Sequence, residues 1–219
     1  LRRTLGPFVF FDHLGPVDLA PGRGLDVRPH PHIGLATVTY LYEGALTHRD
    51  SLGCVQVIRP GDVNWMTAGR GIVHSERTPA PERAAGHRMH GIQTWIALPR
   101  AYEETDPEFL HYAASALPEV ERDGVRLRVI AGRAFGVESP VRVYAPTLYV
   151  DVEFEGAGSF IVPCEHEERA LYVIAGDVRV DGVPAPAQHL MVLPASGDVE
   201  VTATTSARVL LCGGAVLDG

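Results

Sequence analysis

A chain of 219 residues that is 46% hydrophobic and 21% charged has ordinary globular composition, which excludes disordered and collagen-like chains. Nineteen basic against 27 acidic residues leave a net charge of −8, the wrong sign for a protein that binds phosphate backbones, so no direct nucleic-acid partner is expected. Every basic residue is arginine, so no lysine is available for Schiff-base chemistry.

In chain order, short runs rich in Val, Ile, Leu, Thr and Tyr predict strands over Leu35 to Tyr42, Val55 to Ile58, Gly91 to Leu98 and Val125 to Ala131. They continue over Thr147 to Phe154, Ala170 to Ile174, Asp177 to Val180, His189 to Leu193 and Val209 to Cys212. Turn signals such as Glu43-Gly44, Pro60-Gly61-Asp62, Asp123-Gly124 and Asp181-Gly182 separate them at intervals typical of sandwiches and barrels, and no long amphipathic helix competes. The polar, turn-rich stretch from Arg100 to Glu121 predicts a boundary between domains 1–110 and 111–219. A weak repeat, Thr37 to Gly44 against Arg169 to Gly176, predicts two copies of one small β-barrel.

The apolar runs, such as Ile92 to Leu98, fall far short of the ~20 residues of a membrane helix, so no membrane partner is expected. The three cysteines, Cys54, Cys164 and Cys212, are far apart and form neither a disulfide framework nor a CxxC site, which points to a reducing, cytoplasmic setting.

The strongest chemical signal is Pro29-His30-Pro31-His32. Two histidines at i and i+2 on extended backbone project from one face, and the prolines favour that backbone. His74 and Glu76 repeat the spacing after Ala68-Gly69-Arg70-Gly71. Two strands can thus aim His30, His32, His74 and Glu76 at one point. Three neutral imidazoles and a carboxylate suit a divalent first-row metal, and an octahedral ion so held keeps two positions open for chemistry. Glu76 can serve both as ligand and as proton acceptor.

Phe11-Asp12-His13-Leu14-Gly15-Pro16, the run from His30 through Glu43-Gly44, His48 to Gly53, Pro60 through Glu76, and His90 to Trp95 together resemble the pirin family. The resemblance is close over roughly residues 4 to 100 and looser beyond. It implies an all-β bicupin, two consecutive cupin (double-stranded β-helix, jelly-roll) barrels, the first holding iron on three histidines and a glutamate. Those ligands fall on His30, His32, His74 and Glu76. Fe(II) is the expected metal, with Ni, Cu, Zn and Mn as alternatives. The implied activity is that of a quercetin 2,3-dioxygenase, with a flavonol and O2 as substrates. The alternative is a redox-sensitive interaction protein that regulates a transcription factor or metabolic enzyme. A monomer is expected, because closed barrels leave few free edges.

The chain departs from the family pattern in two places. Many cupins place a Glu ligand four residues after the second histidine, where this chain has Ala36. Counting back from Gly176 by the spacing that separates His30 and His32 from Gly44 lands on Val162 and Cys164, so the second barrel is expected to lack a metal.

Other residues carry two readings each. His48 with Asp50 is either a pair at the rim of the site or hydrogen-bonded scaffold, and His13 and His90 are read as hydrogen-bonded scaffold rather than direct ligands. Gln93 and Trp95 either line the cavity or pack. Arg70 either attracts an anion or decorates a turn. His87, His111, His166 and His189 are read as solvent or packing residues, Cys54 as a small buried hydrophobe, and Gly69 and Gly71 as turn formers.

Overall fold

The computed structural model describes residues 4–217, which are almost all strand or connecting turn. Contacts divide the chain into two units, one of residues 8–114 and the other of residues 4–7 with 115–217. Each is a cupin barrel, so the chain has the bicupin architecture. Among the described residues no helix is long and apolar enough to cross a membrane.

The first barrel contains β1 (Phe8–Leu19), β2 (Asp26–His32), β3 (Leu35–Glu43), β4 (Leu46–Asp50), β5 (Val55–Ile58), β6 (Val63–Thr67) and β7 (Ile72–Arg77). A six-residue helix α1 (Ala80–Ala85) follows, started by prolines 79 and 81 and ended by Gly86 at φ +76°, and then come β8 (His87–Ala97) and β9 (Glu108–Tyr112). One sheet runs in the order β1-β8-β3-β6-β9 and the other β2-β7-β4-β5. β3 lies in the middle of its sheet and is buried nearly end to end, so its run of β-branched and aromatic residues does not alternate with polar ones.

The second barrel repeats the plan with β10 (Glu119–Arg122), β11 (Val125–Ala134), β12 (Val137–Glu138), β13 (Thr147–Phe154), β14 (Gly158–Val162), β15 (Glu168–Ala175), β16 (Val178–Val180), β17 (Val183–Ala185), β18 (Leu190–Val192), β19 (Val199–Ala203) and β20 (Ala207–Gly214). Its sheets run β10-β11-β13-β20-β15-β18, with β12 added beside β11, and β14-β19-β16-β17. β19 shows the period of a half-buried strand, with Val199, Val201 and Ala203 inside and Glu200 exposed. These residues join Leu127, Phe154, Phe160, Val173 and Leu211 in one apolar core. The sheet orders align β3 with β15 and β8 with β20, so the repeat read between residues 37–44 and 169–176 marks equivalent central strands.

The division between units falls after residue 114 rather than at 110. β9 hydrogen-bonds to β6 from Thr67↔Glu108 to Val63↔Tyr112, which ties residues 108–112 to the first barrel. It is an edge strand, half-buried along its length, so its composition reads as a linker. Residues 4–7 belong to the second unit, where the Gly6 amide donates to Glu168. Gly6 has φ +52°, and a Cβ there would lie 2.7 Å from the Gly214 backbone nitrogen, so glycine is required for the approach.

Candidate metal centre

β2 and β7 pair antiparallel with His30 opposite His74, and β4 pairs with β7 so that His48 lies opposite Glu76 and Asp50 opposite His74. The pleat turns His74 and Glu76 to the same inner face. Thr39 and Gln93 are partners across the other sheet, on β3 and β8, and reach Glu76 from it. The site therefore lies between the two sheets of the first barrel.

His30, His32 and His74 each offer one ring nitrogen within 4.8 Å of the others, the one group among the described residues with ligand atoms gathered closely enough to hold a metal ion. His74 and His32 are buried and His30 is half-exposed. Burial, reinforced by His30, His48 and His32, pushes His74 down to about 3, and burial with neighbouring His30 pushes His32 down to about 4. Both rings are neutral at pH 7, so their lone pairs need not be freed of protons before binding.

Hydrogen bonds fix which nitrogen His30 and His74 present. The Nδ1–H of His30 donates to the Arg28 carbonyl at 2.8 Å, leaving Nε2 as the acceptor. Asp50 Oδ2 accepts from His48 Nε2 at 2.8 Å, and His48 Nδ1 stands 3.3 Å from His74 Nδ1. With the Asp50 carboxylate taking the proton on His48 Nε2, His48 Nδ1 accepts from His74 Nδ1–H, and His74 Nε2 is left with a lone pair. That Nε2 is buried and has no hydrogen-bond partner. A buried polar atom without a partner is costly unless something occupies it, and a metal ion fits this donor set. Asp50 is itself held by the Leu52 and Cys54 amides on Oδ1, and Phe109 stacks on His48 with ring centroids 4.0 Å apart.

Glu76 is 3% exposed, and its ligand atoms lie outside the three-histidine group. Thr39 Oγ1 donates to Oε1 at 3.0 Å and Gln93 Nε2 donates to Oε2 at 2.7 Å, so both oxygens are held on the side of β3 and β8. Gln93 thus reaches into the site as a donor to the carboxylate. Trp95 sets its ring against His32 at 5.1 Å, edge to face, and stacks on Phe10 at 4.3 Å.

The remaining candidates lie elsewhere. His13 and His90 meet nitrogen to nitrogen at 2.8 Å across β1 and β8, which is a scaffold contact. Arg70 is exposed and paired with Asp106. His87, His166 and His189 contact backbone carbonyls, and His111 contacts Asn64 Oδ1 at 2.8 Å. Cys54 is half-buried rather than buried, because it closes the exposed turn between β4 and β5; Cys212 is the thiol packed inside, pushed up to about 12 by burial. In the second barrel Val162 is buried and Cys164 lies exposed beyond the end of β14.

The Pirin family model matches residues 1–96, and the model of the pirin C-terminal cupin domain matches residues 149–219. A pirin-like protein of Caulobacter vibrioides is 49% identical over 97% of this chain and 75% of its own length. The chain belongs to the pirin family. A Pseudomonas aeruginosa relative, provisionally named a quercetin 2,3-dioxygenase, is 42% identical over 98% of this chain and 67% of its own. The crystal structure of a quercetin 2,3-dioxygenase from Acinetobacter baumannii superposes with a TM-score of 0.92 at 40% identity, covering 99% of this chain and 71% of that one. This chain's metal-binding candidates sit in the first of its two cupin barrels.

Proposed function

We propose that this pirin is an iron-dependent dioxygenase that cleaves a flavonol such as quercetin with O2. The observation that carries the reading is the convergence of three histidines, two of them held neutral, on a point beside a buried, hydrogen-bonded carboxylate. The similarity to a solved quercetin 2,3-dioxygenase supports it. Fe(II), when bound by His30, His32 and His74 with Glu76 as fourth ligand, supplies Lewis acidity and redox capacity; imidazoles also accept Ni, Cu, Zn and Mn.

The chain's own residues account for the rest. Glu76 takes the proton from the substrate hydroxyl, and Thr39 and Gln93 hold its two oxygens so that the carboxylate stands ready. The Asp50-His48 pair holds the His74 ring in the tautomer that presents Nε2. Trp95, backed by Phe10, offers an aromatic wall against which a flavonol ring can lie. The second barrel is read as metal-free.

The test is oxygen uptake by anaerobically iron-loaded protein mixed with quercetin, following loss of flavonol absorbance in parallel. Wild type consumes oxygen in step with the flavonol, and His74→Ala does neither. Gln93→Leu keeps its metal but loses kcat by on the order of tenfold or more, because Glu76 is no longer held. No uptake by wild type with iron demonstrably bound rejects the enzyme and leaves the redox-sensitive interaction protein.

A further inference from the structure

The pleat that turns His48, His74 and Glu76 inward turns their neighbours Arg49 and Arg77 outward, and Arg28 is exposed on β2 beside them. Arg77 sits between Asp26 and Thr47 in the register of β2, β7 and β4. With Arg83 of α1, these side chains line a groove of about 660 Å³, within the usual size of small-molecule sites. Four guanidinium groups face one carboxylate there, that of Asp26, which pairs with Arg83 at 2.6 Å.

The chain as a whole has the opposite balance, with 27 acidic residues for 19 basic ones. Several of its other surface arginines are matched with acids, Arg59 with Glu82, Arg88 with Asp18 and Glu43, Arg126 with Glu153 and Arg128 with Glu119. Exposed arginines such as Arg100, Arg122 and Arg133 are not, so what sets the groove apart is that its arginines converge on one concave surface. The side chains of Arg28, Arg49 and Arg77 form no ion pair or hydrogen bond with any described residue. Three neighbouring cations without partners, in a protein with acids to spare, leave a concave site of net charge about +3, four guanidiniums less one carboxylate.

We propose that this groove binds a small molecule bearing a diphosphate group. Guanidinium forks match phosphate oxygens two bonds at a time, and several forks around one groove suit adjacent phosphoryl groups better than a single charge. A long polyanion is disfavoured, because the chain as a whole carries a net charge of −8.

The test is calorimetric titration of the metal-loaded protein, at low salt, with pyrophosphate, ADP, orthophosphate and a short single-stranded DNA. Pyrophosphate is expected to saturate one site per chain, more tightly than orthophosphate, and to weaken as salt is raised. Arg49→Gln and Arg77→Gln each weaken it about tenfold, with metal content and melting temperature unchanged; Arg28→Gln, on another strand, gives an independent measure. ADP bound more tightly than pyrophosphate assigns the group to a nucleotide, and equal affinity assigns it to the diphosphate itself. The proposal is overturned if pyrophosphate does not saturate, if its affinity is unchanged in the arginine variants, or if His74→Ala rather than those variants abolishes it. DNA binding without pyrophosphate binding also overturns it. None of these outcomes depends on oxygen uptake, so the groove and the proposed dioxygenase fail separately.

Discussion

The two barrels share the order of their central strands and fill it with different side chains. In the first, β2 and β7 face each other with His30 opposite His74; in the second, β14 and β19 hold the same place in the sheet and set Phe160 opposite Val201. The first interior accordingly gathers His32, His48, His74, Glu76 and Thr39 out of water, each fixed by a specific neighbour or left with a lone pair. The second packs Phe160, Val162, Val199 and Val201 into an apolar core, and its buried Arg169 donates to the carbonyls of Val162, Pro194 and Gly197. The same fold thus accommodates a histidine-lined interior or a packed apolar one, and a few inward positions on two strands decide which.

The most severe way to break this contrast is His74→Ala, which removes the buried Nε2 at the centre of the cluster. Metal content by elemental analysis is expected to fall from about one ion per chain to near zero. The second barrel should instead respond as a packed core. Phe160→Ala is expected to cost about 3–5 kcal/mol in denaturant unfolding while leaving metal content unchanged, and metal loss in that variant would mean the two interiors are not independent. A subtler probe leaves all three histidines in place: Asp50→Asn removes the acceptor that sets the His48 and His74 tautomers. Metal affinity, measured by competition with a chelator, should drop about 10- to 100-fold with little change in melting temperature.

The smallest effect concerns His13, outside the centre. Burial holds its pKa below 6.5, with Asp12 opposing more weakly, so the folded protein resists a proton that the unfolded chain accepts. Its contribution is therefore present above pH 6.5 and is lost as pH falls below it. His13→Gln should flatten the fall in stability between pH 7.5 and 5.5 relative to wild type, measured by denaturant unfolding at each pH.

The parts of the site that lie close in sequence were legible there, because strand period alone places His30 with His32 and His74 with Glu76 on shared faces. The central strands β3, β8, β13, β15 and β20 were legible for a related reason, being the apolar runs a buried strand requires. What the sequence concealed depends on register between distant strands. Thr39 and Gln93 are 54 residues apart and meet on Glu76 only because β3 and β8 pair at that offset, and nothing local marks either as a donor to it. Edge strands were hidden too. β1 carries Gly15 and Pro16 at a register shift in its middle, and β9 lies inside the polar, turn-rich stretch that reads as a linker, since a strand with one neighbour need not alternate cleanly.

The membership of residues 4–7 in the second unit bears on how the chain reaches its native state. The Gly6 amide and the Glu168 carboxylate that it meets are separated by 162 residues, with the whole first barrel between them in sequence. During synthesis residues 4–7 emerge long before their partner strands, so the first barrel can assemble while they wait. The loop closed by this contact is among the longest the chain makes, and closures of that kind belong late in folding.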